Sequence, residues 1–211
     1  MAFKAVIFDW NGTLLDDTLI WHAALRETFR AFNAKAPTIE EYFRALKQDY
    51  LDVYRMHGIT ATREELHVVY DSAYRTLLHQ TVLDADAKHI LDELSDLGIP
   101  MYLVTMQLPE LVEPLLEKFG IHDHFADRLY RVIRKDDVIK NIARDIDISP
   151  KDCLAVGDAP ADIRHANRAG VTSVAYLSGH IPRELFSEDS KPDHTITRLK
   201  ELVALIRSSC E

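Results

Sequence analysis

The chain has 211 residues, 47% of them apolar, and a formal charge of −9. It is long enough to bury a substantial core, as one large domain or as one domain with a smaller insert. The negative balance argues against a nucleic-acid groove or an anionic membrane surface, and no apolar run approaches the roughly 20 residues that a membrane helix needs.

From the N-terminus, "FKAVIF" (3–8) reads as a buried strand that runs directly into Asp9, with no signal-peptide layout before it. Residues 17–82 then hold aromatic-rich helical segments, at about 19–33, 38–55 and 63–80, and no convincing strand. After them strands and helices alternate. "IPMYLVT" (99–105), "DRLYRVI" (127–133), "DCLAVGD" (152–158) and "VTSVAYL" (171–177) read as strands, and 85–97, 109–119, 136–146 and 160–169 show helical spacing. Gly98, Gly120 and Gly170 stand where helix C-caps belong. The expected fold is an α/β doubly wound parallel sheet, formed by 1–16 and 83–211, with an inserted α-helical cap over 17–82.

The two cysteines, Cys153 in an apolar run and Cys210 in the tail, make neither a metal-ligand spacing nor a disulfide framework. A reducing cytoplasm is the expected location. The ten histidines are scattered without ligand spacing, so most are expected in surface or packing roles.

In doubly wound sheets ligands bind at the carboxyl ends of the strands, and the polar residues of interest fall there. Asp9 and Asn11 follow the first strand, Thr105 ends the second, and Asp158 with Asp162 follows the fourth; Lys135 opens the helix before that strand. Each has an ordinary explanation alone, as a turn residue, a helix cap or a surface charge. Their coincidence at one sheet edge is what points to chemistry. Asp9, Asp158 and Asp162 together would repel one another without a cation, and hard oxygen ligands with room for water suit Mg²⁺. Thr105 and backbone N–H groups near Gly12 and Thr13 can hold phosphoryl oxygens, Lys135 supplies positive charge, and one carboxylate facing the substrate can attack phosphorus. No GxxxxGK[ST] segment is present, so a P-loop is not indicated.

"VIFDWNGTLLD", "YLVTM", Lys135 and "LAVGDAPADIRHANRAGV" resemble, in order, the four motifs of the haloacid dehalogenase-like (HAD) hydrolase superfamily. The tail "PDHTITRLKELVALI" resembles the last short strand and helix of its phosphoglycolate-phosphatase-like branch, and the insert is placed like a helical cap of its first type. The resemblance implies a Mg²⁺-dependent hydrolase of a small phosphorylated metabolite, a monomer or homodimer, working through an aspartyl-phosphate. Asp9 would be nucleophile and metal ligand, and position 11 would offer its backbone carbonyl to the metal. Asp158 would be the other direct ligand, and Asp162 would hold water at the metal or orient Lys135. Thr105 and Lys135 would bind phosphate.

Asn11 departs from the pattern, because family phosphatases place there the aspartate that protonates the leaving oxygen. An amide cannot exchange that proton at neutral pH. Two alternatives follow. Asp-Trp-x-Gly-Thr is similar to the first motif of phosphonoacetaldehyde hydrolases, which use a cap lysine as a Schiff base, and Lys47 is a candidate for it. Alternatively the chain binds a phosphorylated ligand or a protein partner without turnover. Substrate choice is expected to lie with the cap, where Trp21, Arg26, Tyr42, Arg44 and Tyr50 are available.

Overall fold

The computed structural model describes residues 3–46, 49–178 and 180–208. In chain order its elements are β1 (Ala5–Phe8), β2 (Leu15–Asp16), α1 (Thr18–Ala31), α2 (Ile39–Ala45), α3 (Leu51–Met56), α4 (Arg63–Leu77), β3 (Val82–Leu83), α5 (Ala87–Asp96), β4 (Met101–Val104), α6 (Pro109–Phe119), β5 (Phe125–Leu129), α7 (Lys135–Asp145), β6 (Cys153–Gly157), α8 (Pro160–Ala169), β7 (Thr172–Tyr176), β8 (His194–Ile196) and α9 (Glu201–Ser208). They fall into two compact units. Met1–Asp16, Leu83–Gly179 and Phe186–Glu211 make the first; Asp17–Val82 and His180–Leu185 make the second.

The first unit is built on a six-stranded sheet in the order β5-β4-β1-β6-β7-β8, with every adjacent pair parallel. Ile7 of β1 sits opposite Tyr102 on one side and Ala155 on the other. Parallel strands covered on both faces need apolar residues at every position, not at alternate ones, and β1, β4, β6 and β7 are buried at every residue. Ala5, Ile7, Tyr102, Val104, Cys153 and Ala155 pack against Ile139 and Ile142 of α7 and Ala166 and Ala169 of α8. The chain runs outward from β1 through β4 to β5, then returns to β6 and runs the other way. The order therefore reverses at β1 and β6, the position at which a doubly wound sheet opens a crevice beyond its strand ends.

The sequence expectations differ from this structure in three places. The third core strand was expected over 127–133, but β5 ends at Leu129. Beyond it the Val132 amide donates to the Thr105 carbonyl (2.9 Å) and the Arg131 amide to Gln107 (3.1 Å), while Arg131 takes a left-handed φ of 59°. Residues 130–133 are thus a connection tied to the segment that follows β4. The helix expected over 38–55 is two helices. Leu46 is extended, and the Asp49 carboxylate accepts from the Leu51 amide (3.0 Å) at the start of α3. A short two-stranded sheet of β2 and β3 was not foreseen, because two-residue strands carry no periodicity.

In the second unit α1 packs on α4, and its core contains Leu25, Phe29, Tyr42, Val53, Tyr54, Ile59 and Leu66. Thr38 and Thr62 each close a capping box, with Glu41 and Glu65 respectively. Phe29 stacks on Tyr54 with ring centroids 4.9 Å apart.

Candidate active site

Asp9 follows β1 directly, and its amide still donates to the Val156 carbonyl (3.0 Å), so the β1–β6 ladder fixes where its side chain begins. Lys135 is the first residue of α7. Its Nζ lies 2.5 Å from Asp9 Oδ1 and 2.8 Å from Asp162 Oδ1. Asp162 stands in the first turn of α8, and its other oxygen, Oδ2, accepts from the Ala159 amide (3.2 Å). The helix-capping role and the ion pair are therefore both present in one carboxylate. One oxygen each from Asp9, Asp158 and Asp162 lie within 4.8 Å of one another.

Burial and charge oppose each other at this cluster. Burial raises the Asp9 carboxyl and Lys135 lowers it; with Asp162 adding a second upward push, it is raised to about 6. Burial pushes the Lys135 ammonium down, but the Asp162 and Asp9 carboxylates outweigh it and hold the proton more firmly than usual. Of these four groups, three carboxylates face one ammonium. The excess negative charge on hard oxygen donors fits a divalent cation such as Mg²⁺.

Two glycines make room for the cluster. A Cβ on Gly12, whose φ is +73°, would lie 2.3 Å from Asp158 Oδ2, and one on Gly157 would lie 2.4 Å from the Asp162 Cβ. From the sequence Gly157 is legible only as the glycine of the Gly-Asp pair in the fourth resembled segment; the close approach of Asp162 gives it a steric reason.

The backbone amides of Gly12 and Thr13, expected to cradle phosphoryl oxygens, are committed elsewhere. Gly12 donates to the Leu15 carbonyl (2.9 Å) and Thr13 to that of Trp10 (3.3 Å), which also accepts from Leu14 and Leu15. A tight turn has closed on itself, and the backbone group that acts on Asp9 is that of Trp10. The Thr13 hydroxyl is fully buried without a hydrogen-bond partner. Asn11, partly buried, forms a bridge with Leu15 in the same turn. Thr105 is buried at the end of β4, where its amide donates to Leu129 (2.9 Å) and its Oγ1 accepts from the Gln107 amide (3.1 Å). That bond leaves the hydroxyl hydrogen unused.

Trp10 is fully buried, so packing accounts for its size. In the second unit Trp21 lies edge-on to Tyr42 (4.9 Å) and stacked on Phe43 (5.4 Å). The Tyr50 hydroxyl lies 2.6 Å from His67 Nε2, Arg44 pairs with Glu40 at the surface, and Arg26 is exposed. Lys47 and Cys210 lie outside the described residues.

A sequence profile of the haloacid dehalogenase-like hydrolases matches residues 3–170. The chain belongs to this family. Among its relatives, the HAD-like chain is 32% identical to phosphoglycolate phosphatase from Pectobacterium atrosepticum over 226 aligned positions, covering 99% of this chain and 94% of that protein. It is 24% identical to pyrophosphatase PpaX from Oceanobacillus iheyensis, covering 99% of both. The solved structure of a hydrolase from Pseudomonas syringae superposes with a TM-score of 0.80 at 22% identity, covering 97% of this chain and 98% of that one. No described helix of this HAD-like chain is long and apolar enough to cross a membrane.

Proposed function

We propose that the protein is a Mg²⁺-dependent phosphatase of small phosphorylated metabolites that works through a phosphorylated Asp9. The observation that carries this reading is the placement of Asp9 beyond β1, in ion-pair contact with Lys135 and beside Asp158 and Asp162, in a chain of the HAD-like hydrolase family. Relatives named as a phosphoglycolate phosphatase and a pyrophosphatase support the substrate class. Asp9, Asp158 and Asp162, with the Asn11 carbonyl, would hold the cation, which when bound supplies positive charge to the phosphoryl oxygens.

The rest is done by the chain's own groups. A carboxylate oxygen of Asp9 attacks phosphorus, the bond from phosphorus to the leaving oxygen breaks, and an aspartyl-phosphate forms. Lys135, which keeps its proton, and the Thr105 hydroxyl donate to the phosphoryl oxygens. Water then attacks the aspartyl-phosphate and releases orthophosphate. The helical unit serves as the cap that selects the substrate.

Asn11 sets which substrates turn over. Its amide donates a hydrogen bond but gives no proton to the leaving oxygen, and positioned acid–base catalysis contributes about 10²–10⁴ in rate. Acyl phosphates, aryl phosphates and phosphoanhydrides, whose leaving groups depart without protonation, are therefore expected to outpace alkyl esters. A panel containing phosphoglycolate, pyrophosphate and an aryl phosphate, assayed with and without Mg²⁺, tests this. Asn11→Asp is expected to raise kcat on the alkyl ester at least about tenfold and to change the aryl phosphate rate much less. An unchanged alkyl ester rate contradicts the role given to position 11.

A further inference from the structure

A second polar contact crosses between α7 and α8, one residue along α7 from Lys135 and one turn along α8 from Asp162. His165 Nδ1 lies 3.1 Å from Asp136 Oδ1, and the two side chains are only 16% and 12% exposed. A carboxylate oxygen only accepts, so Nδ1 is the protonated nitrogen of the ring. The other Asp136 oxygen, Oδ2, takes a longer contact of 3.3 Å from Arg134, whose own side chain is largely exposed. The two helix starts are thus joined by paired contacts of opposite polarity: Lys135 on α7 to Asp162 on α8, and Asp136 on α7 to His165 on α8.

Lys135 is poorly placed without such support. It occupies the first position of its helix, where the helix dipole disfavours a positive charge, and its side chain is 8% exposed. Its value to the site depends on holding Nζ between Asp9 and Asp162, and a displacement of about 1 Å at a reacting centre can cost about 10²-fold in rate. We propose that Asp136 and His165 are positioning residues for Lys135: their hydrogen bond locks the first turn of α7 against α8 and so aims the Lys135 ammonium at Asp9. This rests on the phosphatase reading for its effect on rate, but not for its effect on Lys135.

The test combines kinetics on an aryl phosphate with mass-spectrometric labelling of Lys135 by an amine reagent, trinitrobenzenesulfonate, in the full chain. Asp136→Ala and His165→Ala are expected to lower kcat about tenfold, with a smaller change in KM, and to label faster at Lys135 than the parent. The double variant is expected to be no worse than either single one. His165→Asn places an amide N–H where Nδ1 stands and is expected to recover parent kcat and labelling to within about twofold, whereas His165→Gln is expected not to. Alanine variants that label and turn over like the parent overturn the proposal, as do asparagine and glutamine variants that behave alike. If the alanine variants fail to fold, the contrast between His165→Asn and His165→Gln still decides. If the parent has no phosphatase activity, the functional reading fails by itself, and faster labelling in the alanine variants still supports positioning while unchanged labelling overturns it.

Discussion

At the scale of single residues, the turn after β1 is shaped by space as much as by chemistry. Gly12 combines a φ of +73° with an approach to Asp158 that leaves no room for a Cβ, whereas Gly120, also left-handed at +64°, faces nothing within 4 Å. Alanine at Gly120 is expected to cost only backbone strain, about 1–2 kcal/mol. Alanine at Gly12 adds a collision with the Asp158 carboxylate. It is expected to weaken Mg²⁺ binding at least about tenfold, measured by calorimetry, with Gly120→Ala binding like the parent. Asp9, Lys135, Asp158 and Asp162 were legible as neighbours because each falls at a strand end or a helix start on one edge of the sheet, and the structure brings these four together. The direction of the Gly12 and Thr13 amides was not legible, since it depends on how the turn closes around the Trp10 carbonyl. Asp136 and His165 were also illegible, being 29 residues apart on two helices.

At the scale of elements, β1, β4 and β6 announced themselves as unbroken apolar runs, and α6 and α8 occupy the ranges their periodicity implied, 109–119 and 160–169. The failures came where local chemistry interrupts a pattern. Asp49 begins α3 inside an apparent helix, and the left-handed Arg131 ends an apparent strand. Helix starts in the second unit carry their own test. Thr62 Oγ1 accepts from the Glu65 amide (3.2 Å), and Glu65 Oε2 accepts from the Thr62 amide (2.7 Å). Thr62→Ala is expected to destabilise by about 1 kcal/mol, read by thermal melts. The hydrogen bonds from the Thr62 amide and hydroxyl hold the Glu65 carboxyl below its ordinary range, and those from Thr38 do the same for Glu41. With the folded values depressed, the unfolded chain binds protons more readily, so this contribution is complete at neutral pH. It is lost as the pH falls through the unfolded and then the folded values. The difference between parent and Thr62→Ala is therefore expected to shrink on acidification from pH 7 to about 4.

At the scale of the whole molecule, every residue of the proposed phosphoryl site, Asp9, Asn11, Thr105, Lys135, Asp158 and Asp162, belongs to the first unit. The second unit has its own aromatic core. A cation that binds the carboxylate cluster of the folded chain stabilises it, by about 2.7 kcal/mol at a hundredfold excess over Kd. Mg²⁺ is expected to raise the melting temperature, and Asp158→Asn is expected to remove most of that rise. An equal rise in both proteins would place the cation elsewhere. The central claim, that Asp9 is the nucleophile, is tested most directly by acid-quenched mass spectrometry of the protein during turnover of an aryl phosphate with Mg²⁺. During turnover the quench is expected to trap an aspartyl-phosphate, with one phosphoryl group on the peptide that contains Asp9 and none in Asp9→Asn. Sustained turnover with no adduct on that peptide, or an adduct that persists in Asp9→Asn, would contradict it.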